Sequence, residues 1–186
     1  MAQVIQFEEQ AVATLRSRLG EAEAARADLA AYARGHSGAV ATIHTAVLRA
    51  LEADDFDSLT VVITKAWPMM LGLDCVALAL LIGDRGFRID GDGVSHCEPA
   101  LISRAVRQAG EVALRSVERG HPLFGLAGEG VRAEALVALE AEAPFPRGLL
   151  LLGQRGTVAE GSDQGSQLLQ FLGAALSAML RRWASN

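Results

Sequence analysis

The stretch LDCVALALLIGDRGFRID, residues 73–90, decides the architecture. From Cys75 onward it is apolar on both faces, with Val76, Leu78 and Leu80 set against Cys75, Ala77 and Ala79. A short run of that kind reads as a central strand covered from both sides. Gly83-Asp84-Arg85-Gly86 is a turn, and Phe87 to Asp90 is the return strand of a hairpin. A two-faced strand inside a hairpin calls for an antiparallel sheet with other elements packed on each side.

Upstream, Asp57 or Ser58 can cap a helix that runs to about Leu71, with Gly72 as its left-handed stop. Pro68 lies inside that helix, so its last turn should be irregular. Downstream, Gly91-Asp92-Gly93 breaks the return strand, and Glu98-Pro99 opens a helix carrying Leu101, Ile102, Ala105 and Val106 up to Gly110. Val112 to Val117 is a short strand, and residues 118–130 form a glycine-rich loop. Ala133 to Ala141 and Gly148 to Gln154 are further strands joined around Pro144 and Pro146. Asp163 caps a final helix with the stripe Leu168, Leu172, Leu176, Met179 and Trp183, and Arg181 and Arg182 complement the dipole of its last turn. Without strand–helix alternation a doubly wound parallel sheet is disfavoured. The expected class is α+β. The first and last helices of the domain share one face of the sheet, and residues 91–130 roof the other.

The first fifty residues have another texture: no proline, many alanines and few large apolar groups. Val12, Leu15, Leu19, Ala22, Arg26, Leu29, Ala33, His36, Val40, Ile43 and Val47 recur at spacings of three and four, as in a coiled-coil seam. Gly35 and Gly38 each cost about 1 kcal/mol against alanine inside a helix, so a break falls near residues 35–38. The reading is a helix over about 7–34 and a second over about 37–53. Residues 1–36 form a helical arm that pairs with a second subunit, and residues 37–186 form the domain. The alternative is a helix that only covers its own domain.

The 186 residues are 51% hydrophobic and 21% charged, which suits a globular chain. A formal charge of −5 with sparse aromatics argues against nucleic-acid binding by phosphate neutralisation or base stacking. The longest apolar run, Val76 to Ile82, is far short of a membrane span, and no export signal opens the chain, so a cytoplasmic location is expected. Cys75 and Cys97 make neither a disulfide framework nor a zinc site by themselves.

Candidate sites are few. His96, Cys97, Glu118 and His121 match no standard zinc spacing, so no metal is expected. Cys97 beside His96 is the candidate for cysteine-dependent redox chemistry, but sequence neighbours on a strand point opposite ways. Arg115, Arg119 and His121 offer donors for a small anion beside the apolar Leu123, Phe124 and Leu126, with His96 as a further candidate. In the alternative, Leu123 and Phe124 plug the domain's own core and the arginines face water. His36 and His44 sit in or beside the seam, where a dimer could make them pH-sensitive.

Several segments carry a family resemblance: Phe7-Glu8-Glu9-Gln10 with Leu15-Arg16, Leu29 to Ala33, Ala39 to Leu51, Leu123-Phe124-Gly125, Glu134 to Leu139, Gly148 to Gly153 and Leu180-Arg181-Arg182-Trp183. Through them the chain resembles the GAF domain and, more specifically, the bacterial family catalogued as domain of unknown function 484. It departs from that family after the last strand, where Gly156-Thr157-Val158-Ala159-Glu160-Gly161 stands in place of the expected Arg-Phe and Pro. The resemblance implies a GAF fold with a helical arm and no established activity. GAF domains bind small molecules such as cyclic nucleotides and tetrapyrroles, or act as dimerising modules. The Asn-Lys signature of the cyclic-nucleotide subset is ruled out here, because Asn186 is the sole asparagine and Lys65 the sole lysine. The expectation is a non-enzymatic homodimeric sensor or interaction module without a cofactor. It can bind a small anionic ligand and passes its signal to a partner protein, with Val12, Leu15, Leu19 and Leu29 in the dimer arm; the alternatives are a small-molecule binding protein with its pocket under residues 94–130, or a cysteine-dependent redox enzyme using Cys97.

Overall fold

A computed structural model describes residues 18, 20, 23, 26, 37–139, 147–156 and 163–184. The chain divides into two compact units, residues 1–41 and 42–186. In the first unit the described residues are helical. Most of the expected arm helix, with its seam residues Val12, Leu15, Leu19 and Leu29, lies outside the described residues. So do the Pro144–Pro146 connection and residues 157–162.

The second unit opens with helix α1 (residues 42–51) and then α2 (Phe56–Val61). The cap of α2 is Asp55 rather than Asp57 or Ser58. The Asp55 carboxylate accepts from the Ser58 amide at 2.7 Å, and the Ser58 hydroxyl accepts from the Asp55 amide at 3.1 Å, a capping box. The irregularity expected from Pro68 is a π-helical turn over Val62–Ala66, followed by α3 (Trp67–Leu71). Proline brings no amide hydrogen to the ladder, and the wider turn accommodates it. Gly72 closes α3 at φ 66°, the left-handed stop that the sequence indicates. Trp67 is fully buried and its Nε1 donates to the Ala46 carbonyl at 3.0 Å, which ties α3 to α1.

The sheet has six antiparallel strands in the order β3-β2-β1-β6-β5-β4. They are β1 (Cys75–Ile82), β2 (Arg85–Asp90), β3 (Gly93–Cys97), β4 (Val112–Ser116), β5 (Ala133–Leu139) and β6 (Arg147–Gln154). The two-faced β1 is central, paired with β2 and β6. Strand β3 corrects the sequence reading, which ends the hairpin at Gly91-Asp92-Gly93. Those residues instead turn the chain into a second hairpin, with Asp90 opposite Gly93 and Gly86 opposite Cys97.

Alternation sorts the side chains into two cores. On one face Val76, Leu78, Leu80, Ile89, Val137 and Leu150 pack with α1, the α2–α3 segment and α5 (Asp163–Ala184). On the other, Ala77, Ala79, Leu136, Leu149 and Leu151 pack under α4 (Pro99–Ala109) and the segment Pro122–Gly130. The layering matches the α+β expectation. Residues 91–130 roof the second face, except that β3 and β4 join the sheet as its edges.

Candidate functional site

Helix α4 starts at Pro99 and buries Ile102, Ala105, Val106 and Ala109, the face that its apolar spacing marks. The expected loop beyond β4 is ordered as two 3₁₀ turns over Pro122–Gly130. His121 caps the first, its Nδ1 accepting from the Leu123 amide at 3.2 Å. Gly125 separates the turns at φ 62° and ψ −137°, and a Cβ there would stand 2.8 Å from the Arg88 guanidinium carbon. The Gly120 amide donates to the Gly128 carbonyl at 2.9 Å and closes the loop.

Leu123 and Phe124, each 1% exposed, drive into the second core. Beneath them Gly153 on β6 leaves no room, since a Cβ there would lie 2.6 Å from Cys75 Sγ, 2.9 Å from Val131 Cγ2 and 3.1 Å from Phe124 Cε1. The space between roof and sheet at this end is filled by the chain's own side chains.

The polar centre of this end is Glu134 on β5, buried at 3% exposure and opposite Arg115 on β4. Nε and Nη2 of Arg115 both donate to its Oε1, at 2.7 and 2.6 Å, and the His121 amide donates to its Oε2 at 2.7 Å. A buried carboxylate held by a guanidinium and a backbone amide is satisfied at both oxygens. It joins the edge strand to the start of the roof. Burial holds the His121 imidazole below its ordinary pKa; Glu134 opposes that shift and Arg115 adds to it. The neutral ring suits the cap, because Nδ1 must carry a lone pair to accept from Leu123. Arg119 pairs with Glu129 at 3.3 Å, both side chains largely exposed.

Four of the candidate ligand residues, Arg115, Arg119, His121 and Phe124, thus meet at one end of the roof, with Phe124 as core. His96 does not join them. It lies on edge strand β3 at the far side of the sheet and packs against Phe87, ring centroids 5.0 Å apart. Strand alternation puts His96 and Cys97 on opposite faces. Burial pushes the Cys97 thiol up, with nearby Arg88 offsetting part of the effect, and burial together with Asp74 pushes Cys75 up to about 11. No group of three His, Cys, Asp or Glu residues able to hold a metal occurs among the described residues.

Glu134 was not a sequence candidate, although a signal for it exists. It is the sole charged residue within Ala133–Leu139, a strand otherwise apolar. Two open cavities lie on the other side of the sheet. One, of about 310 Å³, separates Val137 and Ala138 on β5 from Ala174, Ser177 and Arg181 on α5. The second, of about 220 Å³, runs between α1 and α5 past Leu51 and Ala178. None of the candidate ligand residues lines either.

No helix among the described residues is long and apolar enough to cross a membrane. No curated protein matches the chain. Among solved structures, the chain is similar to the GAF domain of a phosphoenolpyruvate-protein phosphotransferase from Coxiella burnetii. That match has 9% identity and a TM-score of 0.60 and covers 81% of this chain and 96% of the other. It is similar also to a free methionine-R-sulfoxide reductase from Neisseria meningitidis in complex with its substrate, at 12% identity and TM-score 0.57, covering 77% and 89%. The chromophore-binding domain of an unusual bacteriophytochrome from R. palustris matches at 13% identity and TM-score 0.53, with 77% of this chain covered. This chain spans 60% of that domain's length. At these identities the likeness establishes the fold alone. The family model "Protein of unknown function, DUF484" matches residues 1–185, and with a fold shared with GAF domains the chain belongs to this family.

Proposed function

We propose that the chain is a non-enzymatic sensor or interaction module of the cytoplasm, a homodimer that passes its signal to a partner protein. The observation that carries this reading is the filled roof: Phe124 and Leu123 occupy the space that a ligand under residues 94–130 would need. The exposed apolar groups Leu48, Leu51 and Phe171 on α1 and α5 add a surface suited to contact. Replacing Leu15 and Leu19 together by glutamate tests the dimer arm. Sedimentation should show a monomer, and a surviving dimer would remove the arm from the account.

A second reading has one observation in its favour. Glu134 takes only the Nε and Nη2 side of the half-exposed Arg115, so Nη1 lies beyond that pair for a small anion, with His121 and Arg119 nearby. Thermal melts across a panel of small carboxylates and phosphates separate the readings. The first expects no stabilisation, and the second expects a stabiliser whose effect is lost in Arg119→Ala with His121→Ala. Redox chemistry at Cys97 finds less support, given its raised thiol pKa and the opposite direction of His96.

A further inference from the structure

Strand β3 is the last strand on its side of the sheet, and its outer edge is open to pairing. A two-residue turn joins it to β2 with Asp90 opposite Gly93, so the hydrogen-bonded pairs are Asp90–Gly93, Arg88–Ser95 and Gly86–Cys97. The amides and carbonyls of Val94 and His96 therefore point away from β2. Sheets protect such edges with charges, prolines or bulges, and Gly93–Cys97 carries none of these. The opposite edge, β4, has Arg115 within it. Val94 is 63% exposed, and on the same face His96 is exposed with its ring against Phe87. A carboxylate stands at each end of the strand, Asp92 before it and Glu98 after it, both exposed. In extended chain these two positions lie about 20 Å apart. Asp90 is tied to Arg88 at 2.9 Å, and Arg85 stands beside Glu98 in the continuing register.

We propose that the β3 edge pairs with an extended basic segment of a partner protein, which adds a seventh strand to the sheet. Main-chain hydrogen bonds to Val94 and His96 supply the attachment, and side chains select the segment. Residues of the segment opposite Val94 and His96 share their face, where β-branched groups cover the exposed valine. Lysine or arginine at positions six residues apart meets Asp92 and Glu98. Asp92 contributes the larger share, because Arg85 partly offsets Glu98. A second copy of this chain fits badly. Antiparallel pairing centred on Ser95 would set Asp92 of each copy against Glu98 of the other, carboxylate on carboxylate at both ends.

This inference rests on the interaction-module reading and adds to it the surface and the partner's chemistry. The probe is the end-blocked peptide Lys-Thr-Val-Thr-Val-Thr-Lys, titrated into isotope-labelled full-length chain and followed by amide NMR shifts. In antiparallel register its valines face Val94 and His96, and its lysines face Asp92 and Glu98. The amides of Val94 and His96 should shift and gain protection from hydrogen exchange. Methylating the nitrogen of either valine should weaken binding tenfold or more, whereas methylating that of the central threonine, which points away from β3, should change it less than threefold. Asp92→Lys with Glu98→Lys should weaken binding of this peptide tenfold or more and favour the same peptide with glutamate ends. Equal binding of both peptides by the wild type, or shifts confined to other elements, would overturn the proposal. No shift at millimolar peptide would overturn the edge while leaving the interaction-module reading standing. A chain that ignores the peptide and is stabilised by a small carboxylate or phosphate would overturn both.

Discussion

Phe124→Ala tests whether the roof is a packed core or the wall of a pocket. The ring is 1% exposed, and its neighbours Leu123, Val131, Leu149 and Leu151 are equally buried. Two of the nearest backbone positions, Gly128 and Gly153, carry no side chain that could swing into the space left behind. Poor collapse places the loss near about 3–5 kcal/mol, the range for truncating a buried phenylalanine. For a chain of this length that is roughly 6–20 °C in Tm. Urea titration followed by the fluorescence of buried Trp67 would show the midpoint falling with little change in slope. The new cavity is apolar and should stay dry, so benzene should bind it and return about 1 kcal/mol at a few times its Kd, with no effect on the wild type. A loss below about 1 kcal/mol, with no response to benzene, would refute the packed roof.

Other perturbations probe separate parts of the account. A Cβ at Gly173 would lie 2.5 Å from Val137 Cγ1. Gly173→Ala should therefore destabilise by about 1 kcal/mol in spite of the better helix former, and the same change should stabilise in a Val137→Ala background, as chemical denaturation would report. Glu134→Gln should cost about 2 kcal/mol, less than the roughly 3–5 kcal/mol of a fully buried broken pair because Arg115 reaches solvent, read as a shift in urea midpoint. The His121 pKa is lowered on folding, so the unfolded chain binds the proton first. The stability linked to His121 is complete above pH 6.5 and declines as pH falls from there toward the lower folded value. His121→Asn keeps an acceptor for the Leu123 amide and cannot titrate; urea midpoints measured from pH 7.5 to 5.0 should fall less for this variant than for the wild type.

Much of the fold is legible because burial leaves periodic marks. The two-faced run at Val76–Leu80 announces a central strand, and the stripes on α4 and α5 announce which side each helix buries. Strand β3 escapes that logic. It is an edge strand with Val94 and His96 exposed, so no apolar alternation survives, and its glycines read as a break rather than as a hairpin turn. The Asp55 cap escapes for a subtler reason, since Asp55, Asp57 and Ser58 all suit the role and only the reciprocal Asp55–Ser58 bonds decide it. Of the candidate site, the sequence places Arg115, Arg119 and His121 in one neighbourhood because they are close along the chain. It does not place His96 on the far edge strand, nor Glu134 beneath Arg115, because strand pairing across the sheet sets both.

Native mass spectrometry of the protein purified gently from its own cells tests the central claim most directly, since it reports subunit number and any retained ligand together. The account predicts a dimer with no added small mass. A monomer carrying a bound small molecule would contradict it.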